Sequence, residues 1–372
     1  MRRIGVLGAL VALGALASGC GSGDDPPAGA KVLSFELTDA GCVPHSASAP
    51  AGPITFEAKN EGSSAVTEIE VMEGDSILGE KENLSAGLSG SFTLTLDAGE
   101  YTVYCPGGSN ERGTLTVSGE TDQPTAASDE AVVADYRRYL KQNVNELLSK
   151  TKAFVAALDA GEAAKAKALY SVARAPYERI EPVAEQFGEL DPDIDARAND
   201  VPPAKFIGFH RIEKALWAEG GSPSALRAMR PVDHQLLEDI EALGYRVTTL
   251  YLLPPQIANG ANELLSEVSS SKITGEEERY SHTDLVDFEA NVEGAEEAFE
   301  TVEPLLHDRS LADEVEQHFE DVEAALRPYR RGEGFVPYTA LSRSDIRKLA
   351  QEIDALAEEL SQVPAQIVGG SS

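Results

Sequence analysis

The 372 residues carry 31 Lys and Arg against 63 Asp and Glu, a net charge of −32, with 42% hydrophobic and 25% charged residues. A field of that sign argues against nucleic acid as a partner, because phosphate binding needs clustered Lys and Arg, and it attracts cations over distance. The same acid also serves solubility or a salty habitat, so charge alone names no ligand.

The chain is long enough for two or three domains. Arg2 and Arg3 precede an apolar run from Ile4 to Ala17, closed by Leu16-Ala17-Ser18-Gly19-Cys20. This pattern predicts a signal peptide over 1–20, too short and wrongly flanked for a membrane span. Its ending resembles a bacterial lipobox, although Ala17 stands where Leu is preferred. It predicts that Cys20 is acylated (a palmitate-type lipid) and tethers an exported chain to the cell membrane, facing the extracytoplasmic space. Residues 21–30, rich in Gly, Asp and Pro, read as a flexible tether.

From 31 to 119 the apolar period is two. Leu33, Phe35 and Leu37 alternate with polar residues, as do Ile54, Phe56 and Ala58, then Phe92, Leu94 and Leu96. Several short strands punctuated by Gly and Pro turns predict a β-sandwich. A cysteine near the end of a late strand suggests a cupredoxin, but a blue-copper centre needs two His and one Cys. His45 is the lone histidine between 31 and 119, and neither His nor Met follows Cys105 in this domain. A blue electron-transfer site therefore cannot be assembled here.

With Cys20 used for lipid, Cys42 and Cys105 remain, and two readings of them stand. In an oxidising exterior an even pair suggests a disulfide, closing a loop of about 64 residues worth roughly 4 kcal/mol on the loop-entropy model. As ligands, they would hold a metal with His45, Glu68, Glu70 or Met72. Glu68 and Glu70 are a candidate second metal site or, equally, an ordinary solvated strand face.

Residues 120–128, with Pro124, form a polar linker, and from 129 to 368 the period is helical. Stretches such as Lys152–Tyr170 and Leu349–Leu360 repeat apolar residues every three or four positions, predicting an all-α domain. Its sharpest motif is Gly208-Phe209-His210-Arg211-Ile212-Glu213, where His210 and Glu213 share a helix face and can hold one ion. Tyr177-Glu178-Arg179-Ile180-Glu181-Pro182 places acids beside a proline that leaves a backbone carbonyl free. Asp284, Asp287 and Asn291 follow one stripe beside the apolar face of Leu285, Phe288 and Val292. Acids bordering a core need a partner: an Arg or Lys in the plain case, a metal ion in the functional one.

These stretches, with Asp195-Ala196-Arg197 and Gly275-Glu276-Glu277-Glu278-Arg279-Tyr280-Ser281-His282-Thr283-Asp284-Leu285, closely resemble the imelysin family. With the sandwich in front, the chain over about 31–365 is similar to the extracytoplasmic component of a bacterial iron-uptake system. The resemblance implies a degenerate cupredoxin-like β-sandwich followed by two four-helix bundles, with Cys42 and Cys105 where the family carries its pair. It matches the family's Gly-x-His-x-x-Glu signature to Gly208, His210 and Glu213. It implies iron (Fe2+ or Fe3+) as cargo, and a membrane iron permease and a haem peroxidase as partners. Two departures stand out: a lipobox where many members are free in the periplasm, and a shorter spacing between Asp195 and His210.

We expect His210 and Glu213 as ligands, then Glu181, Asp195 and Asp287, with Glu178, His282 and Asp284 as outer members. Carboxylates with one imidazole suit iron and do not exclude zinc or copper. A metallopeptidase is the alternative, but the chain has no His-Glu-x-x-His motif, no inverted form and no Gly-x-Ser-x-Gly elbow, so no enzyme is expected. His234, His307 and His318 read as surface residues. A polysaccharide-binding adaptor is a third reading, weakened by the single Trp217, since sugar platforms show more aromatics.

Overall fold

The computed structural model describes residues 30–74, 76–119, 127–332 and 334–369. The expected signal peptide, the expected lipidation site Cys20, the expected tether over 21–29 and linker residues 120–126 lie outside them.

Nine strands build the first layer pair: β1 Lys31–Thr38, β2 Gly41–Val43, β3 Ser46–Pro50, β4 Gly52–Asn60, β5 Ile69–Glu73, β6 Ser76–Lys81, β7 Ser89–Leu96, β8 Gly99–Tyr104 and β9 Arg112–Ser118. They form a four-stranded sheet in the order β2-β1-β4-β7 and a five-stranded sheet in the order β3-β9-β8-β5-β6. The alternation puts Phe35, Leu37, Ile54, Phe56, Phe92 and Leu94 of the first sheet against Ile69, Val71, Val103, Leu115 and Val117 of the second. Cys42 on β2 and Cys105 just beyond β8 are bonded, with their Cα atoms 5.8 Å apart.

The helical part comprises α1 Ala127–Asp159, α2 Ala163–Glu178, α3 Leu190–Asp195, α4 Gly208–Trp217, α5 Pro223–Ala228, α6 Arg230–Thr249, α7 Pro254–Ser270, α8 Asp284–Val302, α9 Arg309–Leu326, α10 Arg343–Leu360 and α11 Val363–Gly369. Helices α1, α2, α4 and α6 pack as one group and α7 to α10 as the other, and α2 lies against α8 where the groups meet. A cupredoxin-like sandwich thus precedes an all-α domain of two four-helix bundles. Among the described residues no helix is long and apolar enough to cross a membrane.

Two chain breaks position the later chemistry. Pro182 cannot continue the hydrogen-bond ladder of α2, and the backbone continues as a 3-10 segment, Glu181–Phe187. The carbonyl of Glu178, four residues before Pro182, accepts instead from Asn291 Nδ2 at 3.1 Å. Helix α7 lies against that segment so closely that a Cβ on Gly260 would sit 1.7 Å from the Pro182 oxygen.

Helix α7 also joins the two domains. Gln256 Nε2 donates to the Leu78 carbonyl and Asn259 Nδ2 to the Thr93 carbonyl, each at 2.9 Å. Lys81 Nζ meets Glu263 Oε1 at 2.8 Å, and both side chains are mostly buried.

Candidate cation site

Where α2 crosses the start of α8, five short pieces of chain bring their acids together. Helix α2 carries Arg174 and Glu178 one turn apart on one face, both fully buried. Asp195 closes α3. Gly208 opens α4 at φ +74, and a Cβ there would lie 2.2 Å from the Ile194 carbonyl oxygen. Only glycine lets α4 start against the end of α3, which puts His210 beside Asp195. One turn on, Glu213 Oε1 accepts from the backbone N–H groups of Tyr280 and Ser281 at 2.8 and 2.6 Å. The loop that donates those bonds brings Glu277 and Glu278, and α8 adds Asp284 and Asp287 in its first turn.

Arg174 sits among them. Its Nη2 lies 2.5 Å from Glu178 Oε1 and 3.1 Å from Glu277 Oε1, and its Nε lies 2.9 Å from Glu278 Oε1 and 3.5 Å from Asp287 Oδ1. Its Nη1 bonds Asp195 and stands 3.0 Å from His210 Nε2. Lys272, also buried, meets Glu181 Oε1 at 2.5 Å and Glu178 Oε2 at 3.6 Å. Arg197 Nη1 reaches Glu277 Oε2 at 2.9 Å from the outer side.

Two sets of donors lie close enough to share an ion: Asp195, His210 and Glu277, and His210, Glu213 and Glu278. His210 Nε2 faces Glu277 Oε1 at 3.4 Å and Asp195 Oδ1 at 3.7 Å, while Nδ1 stands 3.5 Å from Glu213 Oε2. The acids outnumber the cations among them. Both oxygens of Asp287, Oδ2 of Asp284 and Oε2 of Glu213 are buried without a hydrogen-bond partner. Unpaired buried carboxylate oxygens cost free energy unless a proton or a cation joins them, so this donor set fits a hard cation.

Protons take part of that role. Burial, then Glu213, pushes Glu278 up to about 8. Burial raises Glu178 and Glu181 to about 7, against the pull of Arg174 on the first and Lys272 on the second. Asp195 and Asp284 rise to about 6, again through burial, and Asp287 is pushed well above the usual carboxylate range by burial and Glu278. Glu277 goes the other way: burial opposes it, but Lys272, His210, Arg197 and Arg174 hold it well below that range.

For His210, burial and Arg174 favour the neutral ring, while Glu213, Glu277 and Asp195 pull it up, to about 10. The contact at Nε2 outweighs that pull. A guanidinium only donates, so a ring proton on Nε2 would meet Arg174 head-on at 3.0 Å. Nε2 therefore accepts, and the one ring proton lies on Nδ1, toward Glu213.

The structure brings His210, Glu213 and Asp195 into the close sets, with Glu178 and Asp287 facing Arg174 at ion-pair distance. Glu181 lies one step outward on Lys272. Asp284 Oδ1 accepts from the Glu278 N–H at 3.1 Å. His282 joins neither set; its carbonyl accepts from the Tyr338 N–H at 2.9 Å. Sequence reasoning missed Arg174, Lys272, Glu277 and Glu278. The Glu276-Glu277-Glu278 run and the four-residue step from Arg174 to Glu178 were the available signals.

Outward of the site, a cavity of about 630 Å³ opens between the domains, lined by Glu68 and Glu82 from the sandwich and by Glu181, Asp195, Glu263, Glu267 and Glu277 from the helices. Glu68 precedes β5 and faces this cleft. Glu70, on β5, is 7% exposed, so a solvated strand face does not describe it, and burial followed by Glu68 raises it to about 8. Among the described residues neither belongs to a close set of three metal donors.

Residues 132–363 match the family model described as imelysin, and residues 6–117 the model described as a cupredoxin-like domain. The chain is 38% identical over 338 residues to the iron uptake system component EfeO of Escherichia coli K12, covering 88% of this chain and 89% of that protein. The same figures hold for EfeO of Shigella flexneri. Among solved structures, a purple cupredoxin from Nitrosopumilus maritimus is 18% identical, covering 23% of this chain and 98% of that one with a TM-score of 0.19, a likeness too slight to carry an argument.

Proposed function

The chain belongs to the imelysin family, and from that membership and its buried acid cluster we propose that it captures iron outside the cytoplasm and passes it to a membrane iron permease. The observation that carries this reading is the donor set around His210: one imidazole, Asp195, Glu213, Glu277 and Glu278, with carboxylate oxygens left unpaired inside the protein. Oxygen donors with a single nitrogen suit iron and also accept zinc or copper. The names of the relatives, which are components of iron uptake systems, favour iron.

The cleft supports a bare or hydrated cation as the form captured. Its acidic walls attract cations and repel anionic iron chelates. A signal peptide over 1–20 and an acylated Cys20 would keep the chain on the outer face of the cell membrane, near the permease and the haem peroxidase of the same system. The sandwich (31–119) and the helical domain (129–368) would act as one receptor, joined through α7.

A carrier fits better than a peptidase. A general base needs a pKa near the working pH. Glu213, beside His210, is lowered despite its burial by His210 and by the N–H groups of Ser281 and Tyr280. Glu278, which does rise to about 8, is fully buried with its Oε1 2.9 Å from Arg174 Nε, away from any substrate. A sugar-binding adaptor is disfavoured by Trp217, whose ring packs 5.4 Å from Tyr170 and is covered by Lys167.

The test is calorimetric titration of the soluble chain with Fe2+ under anaerobic conditions and with Zn2+, beside His210→Ala/Glu213→Ala. Micromolar or tighter iron binding that the double substitution abolishes is the expected result. Binding that survives moves the site elsewhere, to the Glu68 side of the cleft first. A wild type that takes neither metal ends the carrier reading.

A further inference from the structure

Arg174 is an odd neighbour for a cation site, because it is itself a cation that cannot shed its charge. It is fully buried and has five carboxylates within ion-pair distance: it hydrogen-bonds Asp195 and Glu277 and stands 2.5 to 3.5 Å from oxygens of Glu178, Glu278 and Asp287. A structural ion pair needs one or two acids, so five exceed what packing a single arginine requires. The sixth contact is more specific: Nη1 donates to His210 Nε2 at 3.0 Å. The lone pair that an incoming ion would need on Nε2, and the Asp195 and Glu277 oxygens beside it, are the atoms the guanidinium now holds.

The arginine also has somewhere to go. Glu178 and Asp287, at 2.5 and 3.5 Å, belong to neither close donor set. Glu178 lies one turn further along α2, so the guanidinium can keep that pair while releasing the imidazole side. Exchanging one cation for another leaves the buried acids neutralised throughout. That avoids the large cost of an unpaired buried charge in the empty protein.

Resting on the carrier reading above, we propose that Arg174 is a built-in stand-in for the cargo: it fills the donor set of the empty carrier, is displaced from His210, Asp195 and Glu277 by the incoming cation, and by returning sets how readily the cargo leaves. The consequence is an affinity held below what the donors alone would give.

Arg174→Gln removes the competitor, and Arg174→Lys keeps the charge but loses the planar fork that reaches several acids at once. Affinity is measured with Zn2+ and Fe2+ against a chromophoric chelator, and release by stopped-flow transfer to excess chelator. The Gln variant should bind at least about tenfold tighter and release correspondingly more slowly, the factor that one charge-assisted hydrogen bond represents. Its metal-free form should melt at a lower temperature than wild type, with the metal-induced rise in melting temperature enlarged. The Lys variant should fall between the two.

Unchanged or weaker binding by a folded Gln variant overturns the proposal, because a merely structural arginine would give that result. Should the Gln variant not fold, wild type with 15N-labelled arginine decides. The Nε–H resonance of Arg174, assigned by its loss in the Lys variant, must move when Zn2+ is added, and an unmoved resonance at saturation overturns the proposal equally. A wild type that binds no cation overturns the carrier reading and this one together. Binding that is lost in His210→Ala/Glu213→Ala but indifferent to Arg174 overturns this one alone.

Discussion

Cation uptake at neutral pH should release protons from this protein. Glu278 is fully buried, and burial with the neighbouring Glu213 holds it at about 8. At pH 7 it is therefore protonated about ten times in eleven, and ionising it costs about 1.4 kcal/mol. A cation that takes Glu278 as a ligand must displace that proton. Affinity should then tighten about tenfold from pH 6 to pH 7 and about fivefold from pH 7 to pH 8, and more steeply if Asp287, also pushed well above the usual range by burial and Glu278, gives up its proton too. His210 adds nothing where the cation meets Nε2, because Arg174 already holds that nitrogen unprotonated; a cation held on the Glu213 side meets the proton on Nδ1 instead. The assay is Zn2+ calorimetry at pH 7 in buffers of different ionisation enthalpy, where the slope of observed against buffer enthalpy counts protons. One to two per ion are expected, and Glu278→Gln should lower the count by about 0.9, the share protonated at pH 7. A wild type that binds Zn2+ with zero slope refutes the reasoning. A count above two says that further groups give up protons, either the His210 ring or the buried Glu178 and Glu181, each held at about 7.

Gly208→Ala should cost roughly 2–4 kcal/mol, from the left-handed backbone and from a methyl pushed to 2.2 Å of the Ile194 oxygen. It should also weaken cation binding by moving His210, and denaturant unfolding beside calorimetry checks both; full affinity in the variant would contradict the placement. Asp233, at the start of α6, has both oxygens buried without a hydrogen bond, and burial, opposed by His234, raises it from 3.8 to about 7. The folded state then holds this proton more tightly than the unfolded one, so wild type loses stability as pH rises from about 4 to about 7. Asp233→Asn does not titrate, so its melting temperature relative to wild type should climb across that window and level off above it. A difference independent of pH would show that Asp233 is not the responsible group.

The change of apolar period from two to three or four marked where sandwich ends and helices begin, because burial on a strand or a helix leaves its repeat in the residue order. His210 and Glu213 were legible for the same reason, as i and i+3 on one helix share a face. So was the stripe of Asp284, Asp287 and Asn291, since its register depends on α8 alone. The pairing across elements was not legible. Arg174 meets Glu277 from 103 residues away, and local periodicity cannot say which cation an acid on a core-facing stripe will find. The sequence left open whether those acids pair with an arginine, a lysine or a metal. Tertiary packing seats Arg174 and Lys272 among them and still leaves oxygens unpaired. Glu68 and Glu70 make the same point: alternate positions share a face on a strand, but β5 starts only at Ile69, so Glu68 turns to the cleft while Glu70 is buried. Residue order sets which faces each element buries; which charges then meet depends on how separate elements pack, and that is a property of the assembled chain.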